Sequence, residues 1–206
     1  IDKQKACDMA MLATSMFTYF VENNLRDMFN EEGIDDINTR IGIDFGDDAD
    51  VLWANFGTHD VSELTTVSLH TSLASKMQAW ANKNGIVVGQ NVKDRANAQQ
   101  QYYDLVRDSY GEVKKSYIFE NRQTRFYYTQ YKFDWYAFLK SLPYIKVEPD
   151  GKLSIKTDND MEVDRLTRLR ESATLVANNQ AYVSKEGRIT KDGSGVQNQP
   201  HRFHYE

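Results

Sequence analysis

The chain has 206 residues, of which 40% are hydrophobic, 27% charged and 12% aromatic, a composition that excludes a disordered tail or a very small scaffold. Its 25 Lys and Arg residues against 30 Asp and Glu give a net charge of −5, the wrong sign for binding nucleic acid through the overall field. The single cysteine, Cys7, excludes an internal disulfide framework and a cysteine-only zinc site. No apolar run approaches the roughly 18 residues of a membrane helix, so we expect a cytoplasmic protein that does not bind a membrane. From the net negative charge we also expect no nucleic-acid partner.

The first quarter of the chain predicts a helix followed by a hairpin. Apolar residues recur at spacings of three, four and seven over residues 6–29, which is typical of an amphipathic helix. The chain opens at Ile1 within this pattern and without an initiator Met, so we expect further sequence upstream. Alternating apolar residues predict a strand over residues 39–46, and a second strand over 51–56 would close a hairpin across residues 40–56.

The next segment completes an α+β pattern. Apolar spacing predicts a helix over residues 66–82, and a β-branched run between two glycines predicts a buried strand over residues 85–89. The order helix, strand, strand, helix, strand indicates an α+β layer with helices packed on one face of a sheet.

The rest of the chain predicts further elements on the same domain. Residues 96–106 read as a Gln-rich helix, residues 125–133 as an aromatic strand, and residues 134–142 as a short helix stopped by a proline. The turn sequence Pro-Asp-Gly between two apolar stretches predicts a hairpin over residues 144–156.

The C-terminal part predicts one charged helix and a loose tail. Apolar residues over 161–180 recur at the spacing of one helix face, which predicts a helix. Residues 187–200 are rich in Gly, Asn, Gln and Ser and predict a flexible or extended stretch. His201 and His204 follow this stretch, and we interpret them as part of a docking segment rather than as metal ligands. The other two histidines, His59 and His70, have no evident partner in the sequence.

The sequence lacks a P-loop and the GxGxxG, CxxC, HExxH and GxSxG motifs, so it gives no support for the enzyme classes that these motifs define. A group of four aspartates at and after the end of the first predicted strand has oxygen ligands for a hard cation, but its spacing is not that of an EF-hand loop. We therefore interpret it as a solvated hairpin turn and assign no metal ligand in this chain. The group consists of Asp44, Asp47, Asp48 and Asp50.

Three segments, together with a strand that ends in Phe56-Gly57 between the first and the second of them, resemble the second half of the class III nucleotide cyclase catalytic domain. In that family a strand of the type RIGIHxG is followed by a further strand, a helix of the type VNxAxRL and a strand of the type ILVS. The helix over residues 6–29 fits the helix that enters the RIGI strand, so the resemblance covers about residues 1–95. The matching segments are RIGIDFG at residues 40–46, ELTTVSLHTSLASKMQAWA at 63–81 and GIVVGQNVKDR at 85–95.

The resemblance implies roles for three residues. Lys76 stands where the family has the arginine that contacts the triphosphate. A single ammonium charge therefore replaces a guanidinium group that can donate two parallel hydrogen bonds to one phosphate. Ser72 stands at the asparagine that orients the ribose or phosphate, and it keeps a hydrogen-bonding group of shorter reach. Thr65 stands at the base-reading position, where Asp accompanies adenine and Cys guanine, so it matches neither purine pattern. Without the resemblance, Lys76 and Ser72 would be read as ordinary residues of a solvated helix face.

The resemblance also implies a cofactor whose ligands the chain does not supply. The family binds Mg²⁺ or Mn²⁺ through two aspartates that precede the helix with which this chain opens. We therefore expect those ligands upstream of Ile1, and we expect a ferredoxin-like core from which the first strands are absent. Catalysis in this family takes place in a head-to-tail homodimer with the active sites between protomers.

Two patches of the C-terminal half resemble the bacterial pyrimidine cyclases of the Pycsar anti-phage type. These patches are residues 131–142 and 200–206. Such enzymes convert CTP or UTP to cyclic CMP or cyclic UMP, which activates a separate effector without stable contact. We predict that residues 1–95 form the C-terminal portion of the cyclase core, and that residues 96–206 form the remainder of the sheet and a tail on the same domain.

Three other functions remain open from the sequence. The chain could be an adenylate or guanylate cyclase of the ordinary signalling type, in which the residues that recognise the purine base depart from the usual pattern. A non-catalytic dimerisation module would explain the changes to serine and lysine in the helix. The aromatic strand could stack single-stranded RNA, although the net negative charge argues against it.

Overall fold

A computed structural model of the chain describes residues 2–58, 61–113, 116–119, 124–178, 182–183 and 189–190. The chain forms two compact units, residues 1–143 and residues 144–206. The functional division into residues 1–95 and 96–206 stays a prediction.

The first unit is built of short helices and strands. Its helices are α1 (Lys3–Phe20), α2 (Arg26–Glu31), α3 (Leu69–Met77), α4 (Gln90–Lys93) and α5 (Trp135–Lys140). Its strands are β1 (Arg40–Ile43), β2 (Val51–Gly57), β3 (Ser62–Ser68), β4 (Gly85–Gly89), β5 (Tyr103–Leu105), β6 (Ser116–Phe119), β7 (Thr124–Tyr127) and β8 (Gln130–Phe133).

A four-stranded sheet in the order β1-β4-β8-β5 forms the centre of this unit. β1 and β4 are parallel, with Ile41 opposite Ile86, and α3 lies in the connection between them. β8 is antiparallel to both β4 and β5. The predicted α+β class is therefore confirmed, with one parallel βαβ unit at the edge of the sheet.

Strand β4 is the middle of the core because both of its faces are covered. Ile86 and Val88 pack with Cys7 and Met11 of α1, together with residues of α5. Val87 points the other way and packs with α3, because side chains alternate along a strand. Helices thus cover both faces of the sheet, and the expectation of helices on one face was wrong.

Helix α1 confirms the prediction for residues 6–29. The side chain of Asp2 caps it by accepting a hydrogen bond from the backbone N–H of Gln4, and buried positions recur at Cys7, Met11 and Ser15. After Phe20 the chain continues through a π-helical turn, Val21–Leu25, into α2.

The predicted hairpin over residues 40–56 was wrong. β2 pairs antiparallel with β3, in a separate two-stranded hairpin, and β1 pairs with the distant β4 instead. The helix predicted from residue 66 begins only at Leu69, after β3 ends. Alternation predicts a strand and its buried face, but it does not select the partner strand.

Later in this unit, one prediction is confirmed and two are wrong. α5 confirms the short helix over residues 134–142. Residues 96–106 contain a 3₁₀ turn, Gln100–Tyr102, and then β5, rather than a long helix. The aromatic stretch over residues 125–133 is divided between β7, which pairs with β6, and β8 of the central sheet.

Tyr128 and Phe133 from the aromatic stretch are buried. These two rings belong to the core, so they are not available to stack on RNA.

The second unit contains the predicted hairpin and the predicted helix. Strands β9 (Ile145–Val147) and β10 (Leu153–Ile155) are antiparallel, and α6 (Asp158–Ala177) follows them. A further pair consists of β11 (Tyr182–Val183) and β12 (Ile189–Thr190). The predicted tail over residues 187–200 lies outside the described residues except for β12.

Within the described residues, none of the helices combines the length and the apolar character that a membrane crossing needs.

Candidate active site

Helix α3 presents two of the predicted site residues side by side. Ser72 and Lys76 are exposed and lie four residues apart, which places them on one face of the helix, one turn from each other. Leu73 and Met77 are buried and hold the helix against the sheet. The N-terminus of the helix is capped by Ser68, whose side chain accepts a hydrogen bond from the N–H of Thr71. The helix can therefore offer a hydroxyl and an ammonium group to a ligand in solvent.

The third predicted residue, Thr65, lies on β3 opposite Ala54 and is partly buried. Its neighbour Thr66 faces the other side of the hairpin, opposite Trp53, because adjacent strand residues point to opposite faces. The structure thus groups Ser72 with Lys76 and places Thr65 separately on the β2–β3 hairpin.

A buried hydrogen-bonded cluster at the end of β1 was not predicted. The side chain of Asp44 has 0% exposure, and its Oδ2 lies 2.8 Å from Nδ1 of His70 in the first turn of α3. Its Oδ1 accepts a hydrogen bond of 2.5 Å from the hydroxyl of Tyr128. The predictions that Asp44 belongs to a solvated turn and that His70 has no partner were both wrong. His59 lies outside the described residues, as do His201 and His204.

Tyr128 acts as a hydrogen-bond donor in this cluster. Burial raises the pKa of its phenol well above the usual value, and the hydrogen bond to Asp44 adds to the effect. The phenol oxygen also accepts a hydrogen bond of 2.9 Å from the backbone N–H of Asn91 in α4. The cluster therefore connects β1, α3, α4 and the segment before β8.

Two glycines make this arrangement possible. A Cβ on Gly42 would overlap the carbonyl oxygen of Ala74 in α3, so only glycine lets the helix approach β1 this closely. A Cβ on Gly89 would likewise overlap the carboxylate of Asp44. Gly42 therefore allows direct backbone contact between β1 and α3, and Gly89 leaves room for the side chains of Asp44 and Tyr128.

The cluster lies beside a cavity of about 430 Å³. The cavity is bounded by the loop after β1, one face of the β2–β3 hairpin and the first turns of α3. Neither Thr65, Ser72 nor Lys76 is among the lining residues that the structure describes. Polar and aromatic groups in the lining are Asp44, Asp48, Trp53, Thr66, Ser68, His70 and Thr71.

The remaining acidic residues of the loop do not form a cation site. Asp47 contacts the ammonium group of Lys3 at 2.5 Å, and this hydrogen bond holds the pKa of its carboxyl below the usual value. Asp48 and Asp50 are exposed, which agrees with the predicted solvated turn. Among the described residues, no group of three or more His, Cys, Asp or Glu side chains could hold a metal ion.

Curated relatives identify the family of this chain, although no family model matches it. A cytidylate cyclase of Staphylococcus aureus is 34% identical over 143 residues, which are 68% of this chain and 34% of that protein. A cytidylate cyclase of Escherichia coli is 30% identical over 154 residues, 72% of this chain and 33% of that protein. The chain belongs to the class III nucleotide cyclases.

The chain spans about a third of the length of these curated relatives. Among solved structures, it is similar to the guanylyl cyclase Cya2, with a TM-score of 0.48 and 11% identity over 64% of this chain and 59% of that one.

Within this class III cyclase, the sequence identified the helix that carries Ser72 and Lys76 but missed the cluster of Asp44. Asp44 is 26 residues from His70 and 84 from Tyr128, so no local spacing connects them. The one available signal was the alternation of β1. Ile41 and Ile43 share one face, which puts Asp44 on the opposite face, toward α3.

Proposed function

We propose that the protein is a pyrimidine nucleotide cyclase that converts CTP or UTP to cyclic CMP or cyclic UMP and pyrophosphate. The observation that carries the proposal is the sequence similarity to proteins named cytidylate cyclase, 34% identical over 143 residues. The exposed pair Ser72 and Lys76 on α3 supports it, because it offers a hydrogen-bonding group and a cation one turn apart.

In the proposed reaction the ribose 3′-oxygen attacks the α-phosphorus, the bond to the β-phosphate oxygen breaks, and the 3′-hydroxyl proton leaves to solvent. Lys76 would stabilise the negative charge that develops on the phosphate oxygens. Ser72 would hold the ribose or phosphate by a hydrogen bond. The hydroxyl of Thr65 would contact the base edge, where it can both donate and accept.

Class III cyclases as a family use divalent cations, and we propose Mg²⁺ or Mn²⁺ for this protein. The described residues do not fit such a site, since no three potential ligands converge among them and both oxygens of Asp44 are already paired. The ligands of the proposed metal ion are therefore not among the described residues of this chain.

We further propose that the active protein is a homodimer. The β2–β3 hairpin is a two-stranded extension, and its face that carries Thr65 also carries exposed apolar side chains, Leu52, Phe56 and Val67. Exposed apolar groups next to one another favour association with a partner surface. A second copy on this face would place Thr65 at the interface, as expected for active sites between protomers.

The proposed biological role is that of a second-messenger enzyme in bacterial anti-phage defence. The cyclic pyrimidine nucleotide would diffuse through the cytoplasm to an effector that binds it without stable contact to the cyclase. This role follows from the resemblance of the C-terminal patches to the Pycsar branch.

The test is incubation of the full-length protein with ATP, GTP, CTP and UTP, each with Mn²⁺, followed by identification of cyclic products by mass. We expect one cyclic pyrimidine product. A purine product would favour an ordinary signalling cyclase instead. Folded protein that forms no product from any of the four nucleotides would contradict the proposal and favour a non-catalytic module.

A further inference from the structure

We propose that the exposed apolar stripe of α6 is an interface at which two copies of this chain associate with their α6 helices antiparallel. The interface lies in the second unit, so it is distinct from the β2–β3 hairpin, and it does not rest on the proposed cyclase activity. Three observations carry it: the exposure of the stripe, the ion pairs on the opposite side of the helix, and a charge pattern that is complementary to itself.

The stripe consists of Val163, Leu166 and Leu169, whose side chains are 53%, 51% and 52% exposed. These residues are spaced three apart on one helix, so they form a continuous apolar ridge. A helix of a globular protein normally turns such a ridge toward a core. Adjoining apolar groups that are exposed instead are typical of a surface that another molecule covers.

The side of α6 that contacts its own hairpin is polar. Asp164 forms a salt bridge of 2.7 Å with Lys156, and the carboxylate of Asp160 lies 3.7 Å from the ammonium group of Lys146 in β9. Two residues along an α-helix correspond to a rotation of about 200°, so Asp164 and Leu166 point to nearly opposite sides. The hairpin of β9 and β10 is therefore held by ion pairs and leaves the apolar stripe uncovered.

Charges beside the stripe identify a second copy as the molecule that covers it. Residues 162–170 read EVDRLTRLR, a pattern centred on Leu166. A two-fold axis at Leu166 that sets two helices antiparallel brings Val163 of each copy opposite Leu169 of the other. The same axis brings Glu162 of each copy opposite Arg170 of the other, so both ends of the contact join opposite charges. A parallel pair would place like charges opposite each other.

Glu162 and Arg170 both have capacity for this contact. Arg165 donates one hydrogen bond of 2.7 Å to each oxygen of Glu162, and an ionised carboxylate can accept about four hydrogen bonds in all. Arg170 is exposed, and its guanidinium group has no hydrogen-bond or ion-pair partner among the residues that the structure describes.

The contact is small, which determines how it is measured. Residues 162–170 extend over about 12 Å of helix. Such a contact buries much less than the roughly 800 Å² per partner of a standard interface, so we expect weak association that depends on protein concentration.

The experiment is sedimentation velocity of the full-length protein over a range of concentrations, in a Phe56→Asp background that separates this interface from the hairpin. We expect dimers that form with increasing concentration. Glu162→Arg and Arg170→Glu should each raise the dissociation constant about tenfold, because each places like charges across the axis. The double variant should restore association, although it still lacks the contact between Glu162 and Arg165.

Matched controls use exposed residues of the same helix that lie outside the stripe. Glu171→Arg reverses a charge on another side of α6 and should leave the dissociation constant unchanged. Leu166→Asp should abolish association, whereas its exposed neighbour Thr167 should tolerate Thr167→Asp. Because all of these side chains are exposed, we expect every variant to fold.

Four results would overturn the proposal. The first is a protein that stays monomeric at all concentrations in the Phe56→Asp background. The second is association that Leu166→Asp leaves intact, and the third is a double variant that associates no better than the two single variants. The fourth is a Leu166→Asp protein that loses thermal stability without any change in association, since the stripe would then be covered by another part of the same molecule.

Discussion

The carboxylate of Asp44, the residue that directly follows β1, lies 2.8 Å from Nδ1 of His70 in the first turn of α3. This contact joins the strand and the helix that carries Ser72 and Lys76. The Asp44 side chain has 0% exposure, and among the described residues the side chains of His70 and Tyr128 are its hydrogen-bond partners.

Asp44→Asn should lower the free energy of unfolding by about 2 kcal/mol, since it removes a buried charge-assisted acceptor and leaves donors unpaired. Urea denaturation measures the change. Asp50→Asn, an exposed residue of the same loop, should change stability by less than about 0.5 kcal/mol. Equal stability of the two variants would show that the buried cluster contributes nothing to folding.

Gly42→Ala should destabilise the protein by about 2 kcal/mol or more, because the added methyl group would overlap the carbonyl oxygen of Ala74. Helix α3 would have to move away from β1. Thermal unfolding measures the loss, with Arg40→Ala, an exposed position on the same strand, as the control. A Gly42→Ala protein as stable as the control would contradict the close approach seen here.

Lys76→Ala in the full-length protein should lower kcat/KM about 100-fold, the effect of removing one group that stabilises transition-state charge. Stability should change by less than about 0.5 kcal/mol, because the side chain is exposed. Lys83→Ala, another exposed lysine, is the control and should retain activity. Unchanged activity of Lys76→Ala would remove this residue from the site.

Ser72→Ala should reduce activity more than Ser75→Ala, although both replace an exposed serine of α3. The loss of one hydrogen bond to substrate corresponds to roughly tenfold in kcat/KM. Steady-state kinetics on the two variants compare the contributions of the two serine hydroxyls directly. Equal rates would leave Ser72 without a role.

Phe56→Asp should weaken self-association, because it places a charge on the apolar face of the hairpin that carries Thr65. Sedimentation velocity should show a shift toward monomer, accompanied by loss of activity. Leu64→Asp changes an exposed residue on the opposite face of the same hairpin and should leave association intact. A dimer that survives Phe56→Asp but not Leu64→Asp would assign the interface to the other face.

The start of α6 should be sensitive to acid. Thr157 and Asp160 form a reciprocal capping box, in which the backbone N–H of each residue donates to the side chain of the other. The Thr157 hydroxyl also donates to the Asp160 carboxylate, and this hydrogen bond holds the pKa of the Asp160 carboxyl below its usual value. Since the folded-state pKa is lowered, this stabilisation is present above about pH 5 and is lost as the pH falls below about 4.

Two measurements test the capping box. Thr157→Val should raise the titration midpoint of Asp160, measured by carboxyl NMR. It should also lower the thermal stability at neutral pH by an amount that shrinks in acid. Asp158→Asn, an exposed neighbour in the same turn, should not reproduce this pH dependence.

Local patterns were sufficient for several elements. The apolar spacing of residues 6–29 predicted α1 and α2, and the turn Pro-Asp-Gly predicted the hairpin of β9 and β10. The segment that carries Ser72 and Lys76 was predicted as a helix, although it begins later than expected. In each case the signal is a period or a turn within about 20 residues, and such signals follow from backbone geometry.

The sequence by itself determined the α+β class, the family resemblance and the helix with its two exposed polar residues. Only the tertiary structure decided that β1 pairs with β4 and that β2 pairs with β3. It also decided that Asp44 meets a histidine 26 residues away and a tyrosine 84 residues away. The physical reason is that strand pairing and buried polar contacts depend on which surfaces the folded chain brings together, whereas periodicity records only which face of each element is apolar.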